Sequence, residues 1–180
     1  MTTFNAMQAV KRQFFALRNG VIADHIRRSD NSYKIIFGLN LPQLNEIAAS
    51  TGYDEQLADA LWDNRSTRES MMLAPMLIDP KRMSREKAEM WITQVPNREV
   101  ADILCHKLLR HTPYALELAK QMCDNDNSLV RYTVIRLLFN LLPASATVAK
   151  EMCAREVKGG DPVTTSIARQ LLEELEFIGS

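Results

Sequence analysis

The sequence predicts an all-α protein whose helices stack in pairs as an α-solenoid, and three observations carry that prediction. A short pattern recurs four times, over residues 57–62, 87–92, 118–123 and 148–153, and a period of this size marks a repeat architecture. Its alanines fall at Ala58, Ala88, Ala119 and Ala149, spaced 30, 31 and 30 residues apart. Its apolar pair follows in phase, as Leu61-Trp62, Trp91-Ile92, Met122-Cys123 and Met152-Cys153. Alanine with apolar residues three and four places on marks one face of a helix. Finally, 6 Gly and 7 Pro in 180 residues are too few for an all-β chain, which needs a turn about every 8–12 residues.

Taken in order, the N-terminal quarter predicts helices over residues 3–18, 21–28 and 42–50, with an irregular link over 31–40. Each repeat then opens a pair. After Asp63-Asn64, residues 66–78 set Met72, Leu73, Met76 and Leu77 on one stripe. After Val95-Pro96-Asn97, residues 98–110 do the same with Ala101, Leu104, Cys105, Leu108 and Leu109. Residues 129–142 follow Asp126-Asn127-Ser128, and residues 163–177 follow Gly159-Gly160-Asp161-Pro162. Ser66, Asn97 and Ser128 suit N-caps, whose side-chain oxygens accept the unpaired N–H groups of a first turn. Pro80, Pro96, Pro113, Pro143 and Pro162 break the chain between helices. A helix pair of this length cannot bury its apolar stripe alone and does so against its neighbours. The 180 residues are expected as a single domain, with N-terminal helices in 1–50 and four helix-pair repeats over 54–177. Such a chain buries roughly two thirds of its unfolded surface, enough to need no metal or disulfide staple.

Charge and composition then narrow the function. Twenty-two basic and 22 acidic residues balance to zero, which excludes a histone-like polycation and an acidic tail. The balance is uneven between layers: the first helices of the pairs carry −6, and the second helices at 65–78, 97–111 and 127–142 carry +4. In a solenoid the second helices line the inner curve, so a mildly basic concave face able to meet phosphates is expected. The same arginines could instead satisfy caps and neighbouring carboxylates. Cys105, Cys123 and Cys153 form no CxxC pair, which points to a reducing, cytoplasmic setting. Residues 1–10 lack the pattern of a signal peptide, and no apolar run reaches the length of a membrane span.

Other constellations read as structure. Cys105 and His106 point about 100° apart on a helix and cannot form a dyad. His106 and His111 lack ligand spacing, so no metal site is expected, and no cofactor is implied. Trp62, Trp91 and most of the nine methionines lie on the apolar stripes and suit the core. The Gly159-Gly160 loop lacks the Lys and Ser/Thr of a phosphate loop.

Four stretches, in order, resemble the DNA alkylation repair family, helical DNA glycosylases built from HEAT-like repeats. Leu61-Trp62-Asp63-Asn64-Arg65-Ser66-Thr67-Arg68-Glu69 is similar to its "LW…RE" stretch, and residues 33–42 to the link into its first repeats. Residues 97–102 resemble its "WD..D" segment and residues 126–131 its "DN.W…R" segment. The resemblance runs from about residue 10 to 175. It implies a HEAT-like fold, double-stranded DNA as partner and hydrolysis of the glycosidic bond of cationic alkylated purines. By position, Asp102 matches the family's catalytic aspartate, and Arg131 its arginine after a one-residue gap. A carboxylate there stabilises positive charge left on the sugar and positions water, while an arginine clamps phosphates. Arg65, Arg68, Arg98 and Arg136 on the basic layer become candidate DNA contacts.

The chain also departs from the pattern. Arg98 stands where the resemblance expects a tryptophan and Arg169-Gln170 where it expects a second aromatic, and with the sequence ending soon after Phe177 the family's final repeat is expected to be shortened or missing. A ring attracts a cationic lesion by about 0.5–2 kcal/mol, whereas an arginine repels it. DNA binding is therefore expected ahead of glycosylase activity. The alternative is a non-catalytic scaffold gripping a protein or peptide on its concave face, and Asp102 could simply pair with Arg98 one turn away.

Overall fold

The computed structural model describes residues 3–29 and 32–178; Asn31, where the expected link begins, and Met1 and Thr2 of the N-terminal segment lie outside the described residues. Regular structure among them is helical, apart from one isolated bridge between Ile35 and Thr67. The chain divides after Asp79 into two compact units.

The first unit holds α1 (Thr3–Ala16), α2 (Gly20–Ser29), α3 (Leu41–Thr51), α4 (Glu55–Asp63) and α5 (Arg68–Leu73). Helix α4 carries the first repeat and buries Leu57, Ala58, Leu61 and Trp62 against α1, α5 and the turn after α5. Asn40 and Gln43 form a reciprocal capping box at the start of α3, which satisfies two N–H groups a helix cannot satisfy itself.

Helix α5 departs from its expected span of 66–78. The α-helix stops at Leu73, and Ala74–Leu77 continue as a tighter 3-10 turn. Pro75 has no N–H to return to the preceding turn, so the α pattern cannot run through it. Nor is Ser66 the cap, because its hydroxyl turns to Asn64. The first turn of α5 is met by the link instead: the Arg68 N–H donates to the Ile35 carbonyl at 3.1 Å, and the Ile35 N–H to the Ser66 carbonyl at 2.9 Å.

The link itself is held by one carboxylate. Glu69 is fully buried and accepts the backbone N–H groups of Phe37 (3.0 Å), Gly38 (2.9 Å) and Leu39 (3.3 Å). Arg68 lies beside it at 2.9 Å and also donates to the Leu39 carbonyl at 3.1 Å. Gly38 is the residue this turn requires. Its φ is +80°, and a Cβ there would stand 2.2 Å from the Asn19 carbonyl oxygen. Replacing Glu69 by Gln should destabilise the protein by about 3 kcal/mol, because it removes the negative charge set against the buried Arg68 guanidinium and an acceptor from the link. Denaturant titration of Glu69→Gln against wild type measures this, and a loss under about 1 kcal/mol would show that water replaces the carboxylate.

The second unit holds α6 (Arg85–Gln94), α7 (Arg98–Lys107), α8 (Ala115–Met122), α9 (Ser128–Asn140), α10 (Ala146–Gly159) and α11 (Thr165–Ile178). The repeat alanines Ala88, Ala119 and Ala149 are buried, as is Trp91. Helix α9 packs against α6, α7, α8, α10 and α11 and buries Val130, Tyr132, Thr133, Val134, Ile135, Leu137 and Leu138. Asn97 caps α7 as expected, accepting the Val100 N–H at 3.1 Å. At α9 the cap is Asn127 rather than Ser128, and the freed Ser128 hydroxyl donates to Asp161. Gly160 ends α10 with φ +70° and returns its N–H to the Glu156 carbonyl.

Candidate nucleic-acid interface

Helix α7 buries Val100, Ala101, Ile103, Leu104 and Cys105, which leaves Arg98 and Asp102 on its open side. Four residues apart, they could pair, yet both reach elsewhere. Asp102 Oδ1 accepts the Tyr132 hydroxyl at 3.0 Å and Arg136 Nε at 2.7 Å, both from α9. Its other oxygen has no protein partner among the described residues, and the side chain is 40% exposed. Arg98 Nη2 donates to the carbonyls of Pro162 (3.0 Å) and Val163 (2.9 Å), tying α7 to the start of α11.

Tyr132 stands between the two arginines. The Arg98 guanidinium lies 5.4 Å from its ring centre and that of Arg136 lies 6.0 Å away. Arg136 also sits 5.8 Å from the Phe139 ring. The tyrosine is only 5% exposed. Burial pushes its phenol up, the Arg136 hydrogen bond draws it back, and Asp102 adds to the rise. Burial lowers Arg136, but the Tyr132 hydroxyl and Asp102 outweigh it and hold the guanidinium above its ordinary value. Directly beneath, Cys105 is fully buried with its thiol held well above the usual range, by burial first and Asp102 second. It stays protonated and donates to the Thr133 carbonyl, so the Cys105-His106 step carries no thiolate.

Arg131, the other candidate site residue, makes its contacts with a different set of partners. Nε donates to Glu156 at 2.9 Å, and Nη2 to Asp161 at 2.8 Å. Nη1 donates to the carbonyls of Asn125 and Asp126. All three nitrogens are used, and the side chain is 16% exposed. The arginine that meets Asp102 is Arg136, five residues later on α9. Arg131 occupies a different edge of that helix, paired with Glu156 and Asp161, so the two candidate site residues are held in separate polar clusters. Arg68 likewise leaves the group of candidate DNA contacts: it is buried and committed to Glu69 and Leu39, with no surface to offer a phosphate. Arg65, in the same unit, is exposed.

Sequence reasoning missed Tyr132. It lies 30 residues after Asp102, one repeat on, and Arg136 follows one turn later. The period therefore contained the signal that brings these three side chains to one level. Among the described residues no three His, Cys, Asp or Glu side chains gather as a metal site, and no helix is long and apolar enough to cross a membrane.

Helix pairs stacked with this register define a HEAT-like repeat protein. A solved structure, described as a new family of proteins related to the HEAT-like repeat DNA glycosylases with affinity for branched DNA structures, matches with a TM-score of 0.81 at 19% identity, over 92% of this chain and 74% of that chain. The sequence profile described as DNA alkylation repair enzyme matches residues 10–156. The chain belongs to that family. No functionally curated protein matches it.

Asp161 provides a pH test of the second cluster. The Ser128 hydroxyl, then the Val163 N–H, with Arg131 adding, hold its carboxyl below the ordinary 3.8. A group depressed in this way stabilises the fold fully above its unfolded value and loses that contribution as pH falls through its folded value. The stability gap between wild type and Asp161→Asn should thus be constant from neutral pH down to about 5 and close below 3.8. Thermal melts across pH report it. Replacing Arg131 by Ala should cost about 3–5 kcal/mol, since it strands the buried Glu156, and a near-neutral result would mean the cluster is not structural.

Proposed function

We propose that this protein binds DNA through exposed basic residues and does not excise cationic purines. One observation carries the second half: the carboxylate expected to do the chemistry is already paired, with one oxygen 2.7 Å from a guanidinium. Departure of a cationic base leaves its positive charge on the deoxyribose, and a carboxylate stabilises that charge only as far as its own is free. The nearest ring, Tyr132, is buried and faced by two guanidiniums, so it offers no face to a cationic base. The exposed guanidiniums of Arg98 and Arg65 suit phosphate oxygens, which they can meet bidentately. Family membership supports DNA as the partner, and the affinity of the structural relative for branched DNA supports a branched form of it. Three free cysteines, two of them buried, support a reducing compartment such as the cytoplasm.

Affinity for duplex and branched DNA should fall steeply as salt rises, because bound phosphates release counterions. Arg65→Ala and Arg98→Ala should each lower the salt slope by about 1, with thermal melts of Arg98→Ala confirming that the α11 loop keeps its place. Incubation with methylated DNA should release no alkylpurine above background from wild type or Asp102→Asn. Release by wild type that Asp102→Asn abolishes would restore the catalytic reading of Asp102. The other reading is a protein-interaction scaffold, expected on the concave face, but the groove that favours it lies on the first helices of two pairs, lined by Glu86, Glu89, Met90, Gln121, Met122 and Asp124, and its acidic rim suits a basic peptide. Absence of DNA retention at about 50 mM salt would favour it.

A further inference from the structure

The formal charge of zero conceals a division along the chain. Residues 1–40 carry six Lys and Arg against Asp24 and Asp30, a surplus of +4, and the rest of the chain carries −4. The surplus accompanies an unusual helix. On α1 the stripe containing Val10 and Phe14 is buried. About 100° round the helix a second stripe runs through Phe4, Gln8, Lys11 and Phe15, and Arg18 continues it past the helix end. This stripe faces outward: Phe4 is 71% and Phe15 58% exposed. Arg18 lays its guanidinium 3.9 Å from the Phe15 ring centre while donating to the Phe15 carbonyl at 2.8 Å. Val21, opening α2 just beyond, is 82% exposed.

We infer that this outer stripe of α1 is a stacking platform for unpaired DNA bases, with Phe15 and Arg18 as the contact and Lys11 on the same stripe for the phosphates. The inference rests on the DNA-binding reading and adds which part of the DNA is engaged. A ring already paired with a guanidinium is ordered before any ligand arrives, so less freedom is lost on binding. Flat bases stack on rings and on guanidinium planes, without regard to sequence. Inside a blunt duplex each base is covered by its neighbours, and only the two end pairs show an outer face. At a branch point or flap, bases lose that cover, so the platform selects such DNA by structure. Charge complementarity favours a polyanion. An anionic membrane would share the charge, but it needs a continuous apolar face. Here Gln8 and Lys11 interrupt the stripe between two rings set about 16 Å apart along the helix.

The test compares wild type, Phe15→Ala and Phe15→Tyr on a blunt duplex and on an equal duplex carrying a single-stranded flap, with 2-aminopurine at the flap's base. Phe15 is exposed, so the substitutions leave the fold intact, which thermal melting verifies. Phe15→Ala should weaken flap binding about tenfold and blunt-duplex binding by no more than about twofold. Wild type and Phe15→Tyr should quench the 2-aminopurine fluorescence, and Phe15→Ala should not. Equal flap binding and equal quenching by wild type and Phe15→Ala would overturn the inference while leaving DNA binding in place. Failure of wild type to bind either DNA would remove the DNA-binding reading and the platform with it. Sedimentation with anionic phospholipid vesicles that depends on Phe15, without flap preference, would overturn the inference in favour of a membrane surface.

Discussion

Helix α9 is the element on which the second unit depends, and its burial dictates the chemistry around it. Neighbours pack on it from α6 to α11, and seven of its residues lie in the core. Its two arginines, Arg131 and Arg136, can occupy only the edges left between those contacts. A guanidinium in such a place needs acidic partners within reach, because desolvation otherwise costs several kcal/mol. Helix α7 supplies Asp102 on one edge, while Glu156 and Asp161 flank the other. Both polar clusters answer the same requirement. Glu69 plays the equivalent part in the first unit, where one buried carboxylate gathers three successive N–H groups of the link.

This arrangement bears directly on function. A carboxylate that balances a helix-bound arginine is a poor source of free negative charge, however well its position matches an active site. Within the family, the chain keeps the repeat framework and sets an ion pair, Asp102 with Arg136, at the place where chemistry is expected. Fold and function separate at a few side chains.

Several sequence expectations held because they depend on neighbours in the chain. The cap at Asn97 is a contact three residues long. The end of α5 at Leu73 follows from Pro75, a local signal that a hydrophobic stripe running to Leu77 obscured. Ser66 and Ser128 misled for another reason: each sits one place from the true cap position, and another partner takes the hydroxyl, Asn64 two residues back for Ser66 and Asp161 thirty-three residues on for Ser128. The pairing of Asp102 with Arg98 was plausible at four residues' spacing and lost to a partner 34 residues away. Arg98 was drawn off by carbonyls 64 and 65 residues ahead.

The alanine period near thirty residues by itself determined that the chain forms helix pairs, because helical periodicity is written in residues three and four apart. It also determined that aromatic and methionine residues on the stripes are core. Only the tertiary structure decided which carboxylate meets which guanidinium, that Arg136 rather than Arg131 holds Asp102, and that Arg68 is buried beyond the reach of any phosphate. Those outcomes depend on long side chains meeting across helices that are distant in sequence. The order of residues records no distance for such meetings until packing has set one helix against another.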